Sequence, residues 1–421
     1  MKKLLSLLAV AAVLTVLLGG CNQPADVSET KKDVTIKFFG YKTGNELGAI
    51  PDLIKRFEDQ NPGVKVEYEA IPTSNGYKDV IKSRLAADEP MDVFMGQPSD
   101  AGLYTSAGYV VDLSSEKWLS KLNNTMKDIV TYQDKVYCLP VDASGIGMFC
   151  NLKILSENGL TPPKNWQEFM DVCEALKGKG ITPIVMGDKT GWHSFRFFLI
   201  YGGLLAVDDP NIAVSVAEQQ KKPSEVFKPI LDKIEFINKK GYTNAEESLG
   251  MQWNDQAYTE FMKGENAFLF GGTWQTKQLS DANAGFDFSF IPIPVQDSGE
   301  AKAYVSAGTV LYINQKTKNM ELAKKFLDFW SEDANIEEYV KSQGAYTVLK
   351  GGMSTEDKTA AEFGEAIEKG NTISFPSGLE FIDNLSASFT KGAQSIITGK
   401  GTVDDALKEL DDALEKAINL R

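Results

Sequence analysis

Residues 34–94 restrict the fold more than any other stretch. Residues 34–39 have the apolar character of a strand; Ile50, Leu53, Ile54 and Phe57 then recur at helical spacing until Asn61-Pro62-Gly63 stops the helix. Val64, Val66 and Tyr68 alternate with charged residues, Tyr77, Val80, Ile81 and Leu85 return to helical spacing, and Met91-Asp92-Val93-Phe94 forms a third apolar run. This order predicts the opening of a parallel, doubly wound α/β sheet, because a crossover helix lets consecutive strands run the same way. Ligands of such sheets sit in the loops beyond the carboxyl ends of the strands. By position alone, Tyr41 and Glu46 on the first loop and Gln97, Ser99 and Asp100 on the third become candidates.

A second stretch, residues 261–276, repeats that logic later in the chain. Gly264 suits the left-handed conformation that closes a helix, and Ala267-Phe268-Leu269-Phe270 reads as a buried strand leaving the core at Gly271-Gly272. Trp274 follows at the carboxyl end, an aromatic face offered at a mouth. Trp192 follows a strand expected over 181–186 in the same way, and Trp253 precedes the helix that reaches Gly264, with packing as its alternative role.

Several strings then resemble one family: Lys263-Gly264-Glu265-Asn266-Ala267 with Trp274, Phe290-Ile291-Pro292-Ile293-Pro294, Ala307-Gly308, and Glu321-Leu322-Ala323-Lys324-Lys325-Phe326-Leu327. They resemble the extracellular solute-binding proteins of ATP-binding-cassette (ABC) sugar importers, the group that includes the bacterial maltose-binding protein. The resemblance runs from about residue 34 to the end. It implies an α/β, two-lobe periplasmic-binding-protein fold of the type II kind, each lobe a doubly wound sheet, with three hinge crossings. One lobe would comprise residues 33–142 and 307–345, the other 143–306 and 346–421. In the family, the tryptophan matching Trp274 stacks on the sugar. The loop holding Gln97 and Asp100 resembles the segment that carries an acidic sugar ligand, with Ser99 as an alternative register. Asp142 would lie at the cleft floor or be a turn residue; Gly145 and Gly147 would flank a hinge. Phe375, Phe381 and Asn384 are further possible cleft contacts. The family usually ends its first crossing Tyr-Asn; this chain has Cys150-Asn151.

The amino terminus adds a location. Met1-Lys2-Lys3 precedes an apolar run over 4–18, about 22 Å as a helix against about 30 Å of hydrocarbon, so residues 1–20 read as a signal peptide. Leu18-Gly19-Gly20-Cys21 resembles a bacterial lipobox, which implies a lipid-modified Cys21 and an extracytoplasmic, membrane-anchored protein, with a Gram-positive source favoured. Residues 21–32 would be the tether. Cys138, Cys150 and Cys173 remain; Cys138 and Cys150 flank the first crossing and could pair, while the odd number argues against a disulfide framework. One histidine leaves no multi-histidine metal site, and no cofactor is expected.

The net charge of −14 disfavours nucleic acid and free anions as partners. The implied partners are a sugar, the transmembrane subunits of an ABC permease and its cytoplasmic ATPase, with the chain itself a monomer. Two alternatives remain: the same fold holding a peptide, polyamine or other cationic solute, and a secreted glycosidase. The second lacks support, because GxSxG, HExxH and P-loop motifs are all missing.

Overall fold

The computed structural model describes residues 34–73, 76–282, 285–350, 358–375 and 383–419. The expected signal peptide, Cys21 and tether lie outside the described residues, as do Phe381 and the side chain of Asn384. The strands, in chain order, are β1 (Val34–Gly40), β2 (Val64–Ala70), β3 (Val93–Gly96), β4 (Thr131–Tyr132), β5 (Lys135–Val136), β6 (Cys138–Asn151), β7 (Ile184–Val185), β8 (Phe268–Gly272), β9 (Phe288–Ile291), β10 (Ala303–Ile313) and β11 (Thr372–Ile373).

The opening forms as the alternation predicts. β1 pairs in parallel with β2 from Val34↔Val64 to Gly40↔Ala70 and with β3 at Phe38↔Val93, giving the order 2-1-3. The helix Ile50–Gln60 buries Ile50, Leu53 and Phe57, and the helix Tyr77–Ala86 buries Tyr77, Ile81 and Leu85. β4 and β5 make a small hairpin whose two turn residues, Gln133 and Asp134, both take positive φ, the geometry that matches strand twist.

β6 and β10 carry the chain between two cores. β6 is 14 residues long, about 46 Å at the rise of a strand. Its first part pairs antiparallel with β10 from Tyr312↔Cys138 to Tyr304↔Ile146, and its last part pairs with β8 and β9. β10 in turn pairs antiparallel with β3. Hydrogen bonding therefore runs unbroken along β2-β1-β3-β10-β6-β8-β7. One apolar cluster gathers Phe38, Phe57, Phe94, Phe326, Trp330 and Tyr339; the other gathers Phe169, Phe198, Phe227, Phe268, Phe389 and Leu410. A third segment joins them where Tyr346 bridges to Ala143 of β6.

Two local readings change. The strand expected over 181–186 is reduced to Ile184–Val185: the Ile181 N–H still bonds the Leu176 carbonyl of the preceding helix, and Pro183 has no N–H to give a ladder. Cys138 and Cys150 are free and buried. They lie on the same strand, 12 residues and about 40 Å apart, far beyond the reach of a disulfide. Gly145 and Gly147 answer a packing demand, since a Cβ at Gly145 would sit 2.3 Å from the Phe363 ring and one at Gly147 2.5 Å from that of Phe290.

Candidate functional site

The first half of the site is built on the bulge in β10. The register with β6 shifts at 307–310, so that Gly308 drops out of the ladder and Thr309 faces Asp142. Asp142 accepts the Thr309 N–H, and a Cβ at Gly308 would stand 3.0 Å from the Asp142 carboxylate oxygens, a tight contact that the carboxylate would have to yield to. The Tyr41 hydroxyl, just past the end of β1, lies 3.1 Å from the Thr309 hydroxyl and 3.2 Å from the Gly308 carbonyl. Gln97, just past β3, donates through Nε2 to that same carbonyl at 2.9 Å, and the Tyr339 hydroxyl approaches Thr309 at 3.4 Å. Three predicted residues, Tyr41, Gln97 and Asp142, thus converge on one two-residue stretch. Asp142 is buried, and burial raises its carboxyl above the ordinary range while Lys42 and the Thr309 bonds pull it down. Burial and the nearby Asp142 charge also raise the Tyr41 phenol.

Two predicted residues are placed elsewhere. Asp100 is buried and occupied within its own lobe, pairing with Lys78 Nζ at 2.9 Å and accepting the Gln97 N–H at 3.3 Å. Its carboxylate holds the loop that aims Gln97. Glu46 is exposed on the short turn Gly44–Leu47, and its carbonyl accepts from Gln343 Nε2 at 3.0 Å.

The second half is aromatic. β8 leaves the core at Gly271-Gly272 and turns through Thr273–Gln275, where Gln275 Oε1 accepts the Gly272 N–H at 3.0 Å. The Thr273 hydroxyl accepts the Gly145 N–H at 3.1 Å, tying this turn to the crossing strand. Asp142 and Gly145 are three residues apart on β6, about 10 Å, so the two halves stand on one strand. Trp274 is half-buried, packed at the margin of the second core. The helix Trp192–Asp208 starts after Gly191, which takes φ +76°. The Trp192 ring stacks on Trp253 with centroids 4.1 Å apart and planes 11° apart, and meets Trp274 near-perpendicularly at 5.7 Å. The three predicted tryptophans form one cluster.

Trp192 carries a further contact. The Arg196 guanidinium, one helical turn on, lies against its ring yet stays 5.6 Å from the Trp253 centroid, which places it on the face away from Trp253. With both faces of Trp192 covered, Trp274 and the outer face of Trp253 are the stacking surfaces left. Phe375 packs 5.1 Å from Phe198 at the second core.

Beneath the indoles lies a group that sequence reasoning missed. Arg196 is 1% exposed; Nη1 donates to the Phe270 carbonyl at 3.2 Å, while Nε and Nη2 have no partner. Burial depresses its guanidinium well below the usual value, with the Asp188 charge opposing. Asp188, fully buried, accepts the N–H and hydroxyl of Ser194. His193 is buried, accepts the Gly187 N–H at Nδ1 (2.9 Å), and is held neutral chiefly by its burial. The signal was there: one arginine interrupts the apolar run Trp192-His193-Ser194-Phe195-Arg196-Phe197-Phe198-Leu199-Ile200.

A family model, bacterial extracellular solute-binding protein, matches residues 52–363. This chain belongs to that family. The family consists of binding proteins, so the glycosidase alternative falls away. Among relatives, the multiple sugar-binding protein of Streptococcus mutans is 25% identical over 367 residues, spanning 85% of each chain. The melibiose/raffinose/stachyose-binding protein MelE of Bacillus subtilis is 21% identical over 348 residues, 79% of this chain and 78% of its own. A Bacillus subtilis binding protein solved in an open conformation superposes with a TM-score of 0.80 at 18% identity, covering 93% of this solute-binding protein and 99% of that one. The two-lobe periplasmic-binding fold expected from the sequence is thereby established.

Proposed function

We propose that this solute-binding protein captures an oligosaccharide between its lobes and delivers it to an ABC permease. The observation that carries the reading is the joining of an aromatic cluster to a polar network by one crossing strand. A sugar presents C–H faces and a rim of hydroxyls, so it needs both kinds of surface. Trp274 and the outer face of Trp253 supply the first, and burying an aromatic-sized apolar contact contributes about 1.5–3 kcal/mol. Gln97, Tyr41 and Asp142 supply the second; a hydrogen bond to a charged group contributes about 1.5–3 kcal/mol once water is excluded. A ligand touching both lobes favours their closed arrangement, a shift of population rather than a new fold.

Relatives named for multiple sugars, for melibiose, raffinose and stachyose, and for maltooligosaccharide support a sugar as the cargo. Lobe limits at 33–142 with 307–345 and at 143–306 with 346–421, a lipid anchor at Cys21 and a monomeric state belong to this proposal. Among the described residues no helix is long and apolar enough to cross a membrane. The cationic-solute reading is weakened, because the chain's own Arg196 already occupies the Trp192 face that a foreign cation would use.

Titrating the protein with mono- and oligosaccharides while following tryptophan fluorescence tests the proposal. A saturable change with at least one oligosaccharide, lost in Trp274→Ala, is expected; silence across the panel, or an unaltered response in the variant, contradicts it.

A further inference from the structure

The two unpartnered nitrogens of Arg196 are not a random pair. Nε and Nη2 together form one edge of the guanidinium, the edge whose parallel N–H groups receive two oxygens side by side. The opposite end is fixed by Nη1 on the Phe270 carbonyl. A buried cation with an empty bidentate edge is among the least stable arrangements a core can hold, because each donor has given up water and received nothing. Its nearest opposing charge, Asp188, is already engaged by Ser194. Over the face of this guanidinium lies the half-buried indole of Trp192, seated at the first turn of its helix directly after a positive-φ glycine. Indole and guanidinium together occupy the aromatic end of the site, next to Trp253 and Trp274.

We propose that Trp192 is a movable cover and that Arg196 is a specificity-determining donor beneath it. On capture, the Trp192 ring leaves the guanidinium, and Nε–H and Nη2–H donate to two adjacent oxygens of the ligand. Those oxygens belong to a vicinal pair of hydroxyls on a neutral sugar or to the carboxylate of a uronic acid unit; both present the spacing that the free edge reads. This inference rests on the sugar-binding reading above, and adds that the arginine contributes to choosing the sugar.

The test uses the full chain labelled with 5-fluorotryptophan, whose six tryptophans give resolvable fluorine resonances, with Trp192→Phe identifying that of Trp192. Matched neutral and uronate-containing oligosaccharides are titrated into wild type, Arg196→Met and Arg196→Lys, with denaturation midpoints measured alongside. Arg196→Met keeps the stem and removes the buried charge; Arg196→Lys keeps a charge without the planar edge. The expected result is movement of the Trp192 resonance on saturation, and a loss of affinity of about 10- to 100-fold in both variants without a lower midpoint for Arg196→Met. A loss confined to the uronate series, steepened by salt, assigns the oxygens to a carboxylate; a loss on neutral ligands assigns them to hydroxyls. Variants that bind within twofold of wild type, or a Trp192 resonance that stays in place at saturation, overturn the proposal while leaving sugar binding intact. If wild type itself binds no saccharide, the sugar reading fails, and this inference with it.

Discussion

Around Thr309, side chains from four segments share their hydrogen bonds among themselves, and Asp142, Tyr41 and Gln97 are held before any ligand arrives. Around Trp192, indoles pack on one another and on a guanidinium with an unused edge. The first half is built on strand ends and a bulge, where geometry is set by the sheet. The second is built on a helix start and two turns, where rings can move with little loss of backbone bonding. Under the proposed function, the difference implies a division of labour: the polar half would fix where the ligand sits, and the aromatic half would supply most of the contact energy and the choice of ligand.

Removing the aromatic platform breaks this division most severely. Trp274→Ala is expected to cost about 2–4 kcal/mol of binding, at least 30-fold in Kd by calorimetry, as central aromatic anchors do. Stability should change less, because the ring is only half-buried. The link between the halves comes next. Gly145→Ala drives a methyl into the Phe363 ring and disturbs the bond to Thr273, so a loss of about 1–3 kcal/mol in denaturant unfolding is expected, together with weaker binding.

The polar half is probed at Asp142. Asp142→Ala leaves the Thr309 N–H without its acceptor, and should cost about 1–3 kcal/mol of stability by denaturant titration. The pH dependence follows from the raised carboxyl. A group whose folded pKa lies above its unfolded value stabilises the fold most below the unfolded value, about 3.9, and loses that contribution as pH rises through the folded pKa. Asp142→Asn, which keeps the acceptor oxygen and removes the charge, should therefore gain on wild type between pH 4 and pH 7; a constant gap contradicts the assignment. The smallest effect is expected at Glu46, where Glu46→Gln should change stability by less than about 0.5 kcal/mol and leave affinity within twofold.

Local patterns carried the architecture. The alternation over 34–94 became the 2-1-3 parallel core, and Gly264 takes φ +74° where a helix closes. Trp274 stands at a strand exit for the reason given by its sequence, two glycines after a buried run. What sequence could not show depends on pairing between distant segments. The bulge at Gly308, which gives Asp142 its partner 167 residues away, arises from the register of two crossing strands. Asp100 stands on its expected loop, while its pairing with Lys78 from a neighbouring helix is visible only in the fold. Trp192 stands where its strand-exit position suggested, beside Trp274; its contact with Arg196 follows from helical spacing.

The central claim is that one strand joins an aromatic and a polar surface around a single sugar. A crystal structure of the protein with a bound oligosaccharide tests it most directly. The account predicts a pyranose ring against Trp274, with hydroxyls of the same ligand bonded at Gln97, Tyr41 or Asp142. A ligand bound elsewhere, with both surfaces unoccupied, would contradict it.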